Sequence, residues 1–260
     1  MKELAFTHIL RTLWLATLAF VVITLLSACR TRDPQVVHVA VAANFTEPAK
    51  EIAQLFQRST GHIVLLSFGS TGQLYTQITQ DAPFEIFVAA DQETPRKAVT
   101  EGLAVADSLF TYAVGKTVLY SSSLDLSKGE TVLRDGRFQK IAVSNPSTAP
   151  YGTAAIETMK SLGLYEKLQQ KIVQGNNIAQ TFQFVETGNA ELGFVALSQV
   201  VKRERRSIWI VPDTLYSPIR QDAVLLNKGA GNETARAFQT FLKSPEALKV
   251  IEKYGYAPSP

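Results

Sequence analysis

Val36-Val37-His38-Val39-Ala40-Val41-Ala42, running on through Ala43-Asn44-Phe45 into Thr46-Glu47-Pro48-Ala49, is the stretch whose reading decides the fold. Seven residues rich in valine and alanine suit a buried strand, because β-branched side chains pack well on a pleated surface. A short turn at Asn44-Phe45-Thr46 follows. Thr46 is expected to cap a helix, and Pro48 falls in its first turn, where a missing N–H is harmless. Ala49, Ile52, Ala53, Leu55 and Phe56 give that helix an apolar face, and Ser59-Thr60-Gly61 ends it. A buried strand that passes through a short loop into a helix is the repeating unit of an α/β fold.

The unit recurs along the chain. His62 to Phe68 reads as a strand, Gly69-Ser70-Thr71-Gly72 as a loop, and Leu74, Tyr75 and Ile78 as the apolar side of a helix. Phe84 to Ala90 reads as a third strand ending at Asp91. Phe110 to Tyr120 reads as one long strand that crosses between lobes. Lys140 to Ser144 is a strand, Asn145 to Gly152 a loop, and a helix is expected from about Thr153, with Gly163 at its end. Leu192 to Leu197 and Ala223 to Leu226 add buried strands, and helices through Phe238 and Ile251 close the chain. The expected architecture is α/β and two-lobed, each lobe a largely parallel sheet flanked by helices, with a ligand cleft between them. Lobe one is expected at 36–113 and 221–260, lobe two at 114–220.

The first residues do not belong to that pattern. Lys2 and Arg11 precede an apolar run from Leu13 to Leu26, broken only by Thr17 and Thr24. A basic start and a short apolar run read as a signal peptide at 1–28, since a spanning helix needs roughly 20 apolar residues. Leu26-Ser27-Ala28-Cys29 resembles the lipobox of bacterial lipoproteins, which implies that Cys29 is acylated and that 29–35 form a polar tether. Cys29 is the only cysteine, so no disulfide framework accounts for it. The expected location is the periplasm or cell surface, with membrane contact only through the lipid.

Of the 260 residues, 46% are hydrophobic and 19% charged, which is ordinary for a globular chain with a sizeable core. The net charge of +3 is dispersed, so no nucleic-acid partner is expected, and Lys202 to Arg206 reads as a solvated helix end. Three histidines and one cysteine do not make a metal-cation site, and no Gly-x-Ser-x-Gly elbow marks a hydrolase. Neither a catalytic activity nor a cofactor is expected.

In α/β sheets ligands bind beyond the carboxyl ends of strands. That rule selects Ala43-Asn44-Phe45, Gly69-Ser70-Thr71-Gly72, Ala149-Pro150-Tyr151-Gly152 and Asn176-Asn177-Ile178-Ala179. None carries Asp, Glu, His, Lys or Arg. They offer hydroxyls, amides and the unpartnered N–H groups of helix starts, which together favour an anion. A protonated phosphate needs an acceptor, whereas a donor-only site suits a proton-free dianion such as molybdate, tungstate or sulfate.

Several segments resemble the molybdate-binding proteins of bacterial ABC importers: Val41-Ala42-Ala43-Asn44-Phe45, Ser67 to Gly72, Ala82 to Asp91, Ser144-Asn145-Pro146 with Ala149 to Gly152, Leu192 to Ala196, and Tyr254-Gly255-Tyr256. The resemblance runs from about Val36 to the C-terminus. It implies a type II periplasmic-binding-protein fold, molybdate or tungstate as ligand, a membrane permease as partner, and a monomer. It implies that Asn44 donates through its amide and its N–H, Thr71 through its hydroxyl, and Tyr151 and Ile178 through their N–H groups. Together these four hold the molybdenum as its oxyanion, with Ala43 and Ser70 as possible additional donors. Many members carry a tyrosine at the position matched by Ala196. The resemblance implies that the Tyr151 hydroxyl or ring closes the cavity instead.

Overall fold

The computed structural model describes residues 35–257, so the expected signal peptide, Cys29 and most of the tether lie outside the described residues. The strands are β1 (Val36–Ala42), β2 (Ile63–Gly69), β3 (Ile86–Val88), β4 (Phe110–Gly115), β5 (Thr117–Tyr120), β6 (Ile141–Ser144), β7 (Ile172–Gly175), β8 (Leu192–Ala196), β9 (Ile208–Ile210) and β10 (Ile219–Leu225). The α-helices are α1 (Thr46–Thr60), α2 (Thr71–Thr79), α3 (Glu93–Thr100), α4 (Thr131–Asp135), α5 (Pro150–Ser161), α6 (Tyr165–Leu168), α7 (Ile178–Glu186), α8 (Leu197–Val200), α9 (Glu233–Phe241) and α10 (Pro245–Lys253).

Two five-stranded sheets make two lobes. Their orders are β2-β1-β3-β10-β4 and β7-β6-β8-β5-β9. In each, three strands pair in parallel, and the fourth in spatial order runs antiparallel to its neighbours. Alternate side chains of each strand enter opposite cores, as the two-residue period of a strand requires. Val39 and Val41 pack with Phe45, Ile52 and Phe56, while Ala40 faces Leu74 and Phe87. In the second sheet Ile141 and Val143 join Met159 and Phe194, while Ala142 faces Val118, Val185 and Val195. Each such buried aliphatic or aromatic side chain contributes about 1.5–3 kcal/mol.

Three local expectations are corrected. The segment from Phe110 to Tyr120 is two strands, not one: β4 pairs with β10 in the first sheet, and after Lys116 β5 pairs with β8 and β9 in the second. Thr46 is not an N-cap. A 3-10 turn at Ala43–Phe45 runs straight into α1, and the Thr46 hydroxyl donates back to the Ala43 carbonyl at 2.8 Å. The helix expected from Thr153 begins at Pro150, because proline is well suited to the first helical position.

Candidate functional site

Four helix starts meet at one place, and the sheet order explains why. β1 and β2 are parallel neighbours in the first sheet, β6 and β7 in the second, and residues just past the carboxyl ends of all four line one cavity. The 3-10 turn at Ala43 follows β1, α2 follows β2, α5 follows β6 and α7 follows β7. A cavity with about 200 Å³ of empty space lies between them. Its walls include all six residues singled out above: Ala43, Asn44, Ser70, Thr71, Tyr151 and Ile178. Larger open grooves exist, such as one of about 1170 Å³ along Asp91, Thr148 and Glu157, but it takes in only Gly72, Ala149 and Pro150 of these loops.

The cavity wall contains no ionisable acid, lysine, arginine or histidine. Its field comes from the helix starts, each equivalent to roughly +0.5 charge, so four supply about +2. Within each start, capping engages some N–H groups and leaves others. In α2 the Ser70 hydroxyl accepts from Gln73 N–H at 3.3 Å, and the Gln73 side chain accepts from Ser70 N–H at 3.2 Å. Gly72 N–H donates across the cleft to the Thr148 carbonyl at 2.9 Å. Thr71, the first helical residue, has no acceptor for its N–H inside the helix. Its hydroxyl oxygen accepts from Ala90 N–H at 3.0 Å, which leaves the hydroxyl proton to donate.

Lobe two supplies main chain. In α7 the Asn177 side chain caps Gln180 N–H at 3.0 Å, so Ile178 opens the helix without an intrahelical partner. In α5 Pro150 has no N–H, Gly152 N–H bonds the Ala149 carbonyl at 2.8 Å, and Tyr151 holds the first available donor. The lobes touch closely at the rim. A Cβ on Gly72 would lie 3.1 Å from the Thr148 backbone, so the approach depends on glycine there.

Two wall side chains have partners inside the protein. Both amide protons of Asn44 are engaged behind the cavity, one with the Gln221 side-chain carbonyl and one with the Tyr256 hydroxyl, each at 2.9 Å. Neither amide proton of Asn44 is therefore left to face the cavity. The Tyr151 ring lines the cavity, while its hydroxyl accepts from Gln221 Nε2 at 3.1 Å. Burial holds the Tyr112, Tyr151 and Tyr256 hydroxyls well above the usual phenol range, so all three are neutral.

Gln221, Tyr112, Tyr256 and Ser198 were not anticipated from sequence as parts of the site. Gln221 and Asp222, running into Ala223-Val224-Leu225, were the one available signal, since polar side chains in a central strand need partners.

A family model described as bacterial extracellular solute-binding protein matches residues 37–257. The chain is 56% identical over 220 residues to the molybdate-binding protein ModA of Rhodobacter capsulatus, covering 84% of this chain and 86% of that protein. It is 52% identical over 235 residues to the molybdate-binding protein ModA of Azotobacter vinelandii, covering 89% and 93%. Among solved structures, an Azotobacter vinelandii periplasmic molybdate-binding protein matches with a TM-score of 0.83 at 38% identity, over 86% of this chain and all of that one.

Proposed function

Because the chain belongs to the bacterial extracellular solute-binding proteins, we propose that it captures molybdate or tungstate outside the cytoplasm and delivers it to an ABC importer. The observation that carries this reading is the donor-only cavity at four converging helix starts. A dianion matches their summed charge of about +2, and the wall has no carboxylate or imidazole to take the proton of a hydrogen phosphate. The relatives named for molybdate support the choice of anion. Main-chain N–H groups of Asn44, Thr71, Tyr151 and Ile178 and the Thr71 hydroxyl are the donors. Ala43 and Ser70 complete the wall.

Capture proceeds by lobe closure: the anion settles on one lobe, and the helix starts of the other complete its shell. We take 36–113 with 221–260 as one moving body and 114–220 as the other; the chain crosses between the sheets close to both boundaries, after Gly115 and before Ile219. No bond is made or broken in this cycle, and no cofactor takes part. Cys29 carries a lipid once residues 1–28 are removed, and the protein acts as a monomer beside its permease.

The experiment is a thermal-shift panel of molybdate, tungstate, sulfate and phosphate. Stabilisation by the first two at micromolar concentration is expected. A response to sulfate or phosphate alone would replace the ligand assignment. Labelled palmitate should enter the wild-type chain and not Cys29→Ser; equal labelling of both would remove the anchor.

A further inference from the structure

Gln221 lines no part of the cavity, yet it holds one wall residue from each lobe. Its side-chain carbonyl accepts from Asn44 Nδ2 at 2.9 Å and from the Tyr112 hydroxyl at 2.8 Å, and its Nε2 donates to the Tyr151 hydroxyl at 3.1 Å. It is fully buried, as are Asn44, Tyr112 and Tyr151 to within 2% exposure. Asn44 is held a second time by Tyr256, whose hydroxyl also reaches the Asn44 carbonyl at 2.9 Å and Ser198 Oγ at 3.2 Å. Ser198 of lobe two donates to that same carbonyl at 2.7 Å.

Two features of the fold are shaped around this amide. The pairing of β10 with β4 slips between Gln221, opposite Ala113, and Asp222, opposite Thr111, so Tyr112 is the extra residue of a bulge. A bulge re-aims a side chain, and here it brings Tyr112 onto Gln221. Gly115, at the end of the same strand, leaves the space that the amide and the tyrosine occupy. A Cβ there would lie 2.1 Å from the Tyr151 hydroxyl and 2.4 Å from Gln221 Nε2.

We infer that Gln221 is the positioning residue of the anion site, fixing the Asn44 turn of lobe one and the Tyr151 turn of lobe two relative to each other through one buried amide on a crossing strand. The inference rests on the anion-binding reading above. It follows from geometry: the amide bonds a wall residue of each lobe directly, Tyr256 supports the same pair from behind, and each wall residue sits at a helix start whose N–H groups must converge within tenths of an ångström. An apolar side chain at 221 leaves the Asn44 amide and the Tyr151 hydroxyl without this partner, so the alignment of the two turns loosens although Tyr256 and Ser198 still hold Asn44.

The test uses Gln221→Leu and Gln221→Glu in the full mature chain, with molybdate affinity measured by calorimetry at pH 5.5, 7 and 8.5. The groups that face position 221 are the hydroxyls of Tyr112, Tyr151 and Tyr256, all neutral in this range. The neighbouring Asp222 is held by Gln92 and Thr111, with Arg96 near it. Gln221→Leu should lose at least tenfold in affinity while still melting cooperatively. A protonated glutamic acid reproduces one acceptor and one donor, so Gln221→Glu should bind within threefold of wild type at pH 5.5 and at least tenfold more weakly at pH 8.5. Leucine within twofold of wild type, or a glutamate variant equally weak at both pH values, overturns the inference. A wild-type chain that binds none of the four oxyanions overturns the underlying reading, and the inference with it.

Discussion

Lobe one and lobe two are built on one strand order, and each sends two helix starts to the same cavity, but they offer it different chemistry. Lobe one presents small polar residues, Asn44, Ser70 and Thr71, so a hydroxyl joins the main chain there. Lobe two presents Pro150, Tyr151 and Ile178; the last two belong to its buried core, and the donors they offer the cavity are main-chain N–H groups. The difference teaches that a charged ligand can be bound from one side almost without side-chain functionality, provided that helix starts are correctly aimed. It also tells which positions tolerate change: in lobe two the side chain is packing, and the main chain does the binding.

The contrast breaks first where the lobes meet. Gly72→Val should weaken molybdate binding by about a hundredfold or more, since its side chain meets the Thr148 backbone and holds the second lobe's donors away. Calorimetry giving an affinity within threefold of wild type would show that this contact does not limit closure. Next in size is Ile178→Pro. Proline suits a first helical position, and Asn177 before it is extended, so the helix survives while one N–H is deleted. A loss of roughly tenfold to a hundredfold is expected, matching about 1.5–3 kcal/mol for a bond to a charged acceptor. Ile178→Val, which keeps the N–H, should change affinity less than about twofold.

Thr71→Val removes the one side-chain donor of lobe one and also the acceptor of Ala90 N–H. About a tenfold loss is expected, restored largely by Thr71→Ser; a serine variant as weak as valine would show that the methyl group, not the hydroxyl, matters. The smallest effect is that of pH. With no wall group that titrates in this range, since burial holds the Tyr151 phenol neutral, wild-type affinity should stay flat between pH 6 and pH 9. Stability follows the buried tyrosines, whose folded values are raised. Their contribution is complete below the unfolded value of about 10 and is lost as pH rises from there through the folded values. Thermal midpoints that fall already between pH 7 and pH 9 would contradict this account.

Much of the scaffold was legible because its signals are local. β1, β2, β6 and β8 are continuous apolar runs, and the loops after β1 and β2 carry polar residues in plain sight. β7 and β9, Ile172-Val173-Gln174-Gly175 and Ile208-Trp209-Ile210, are too short to show a period. The Phe110 to Tyr120 run hid its break because both halves are apolar, and only their different partners separate them. The cavity residues could be named in advance for the same reason as the loops. What the Asn44 amide does could not, since its partners Gln221 and Tyr256 lie 177 and 212 residues away. The bulge at Tyr112 is likewise a property of pairing and leaves no mark in either strand alone.

β1 enters lobe one at Val36 and delivers Ala43 to the cavity wall. Seven residues at about 3.3 Å each place the two ends roughly 20 Å apart. A bead, an electrode or a dye coupled ahead of Val36 therefore leaves the cleft mouth clear. Ser147 is exposed beside the Gly72–Thr148 contact, where an environment-sensitive fluorophore would report closing as a change of colour. The layout that serves capture also makes the molecule a ready frame for an optical probe of dissolved oxyanions.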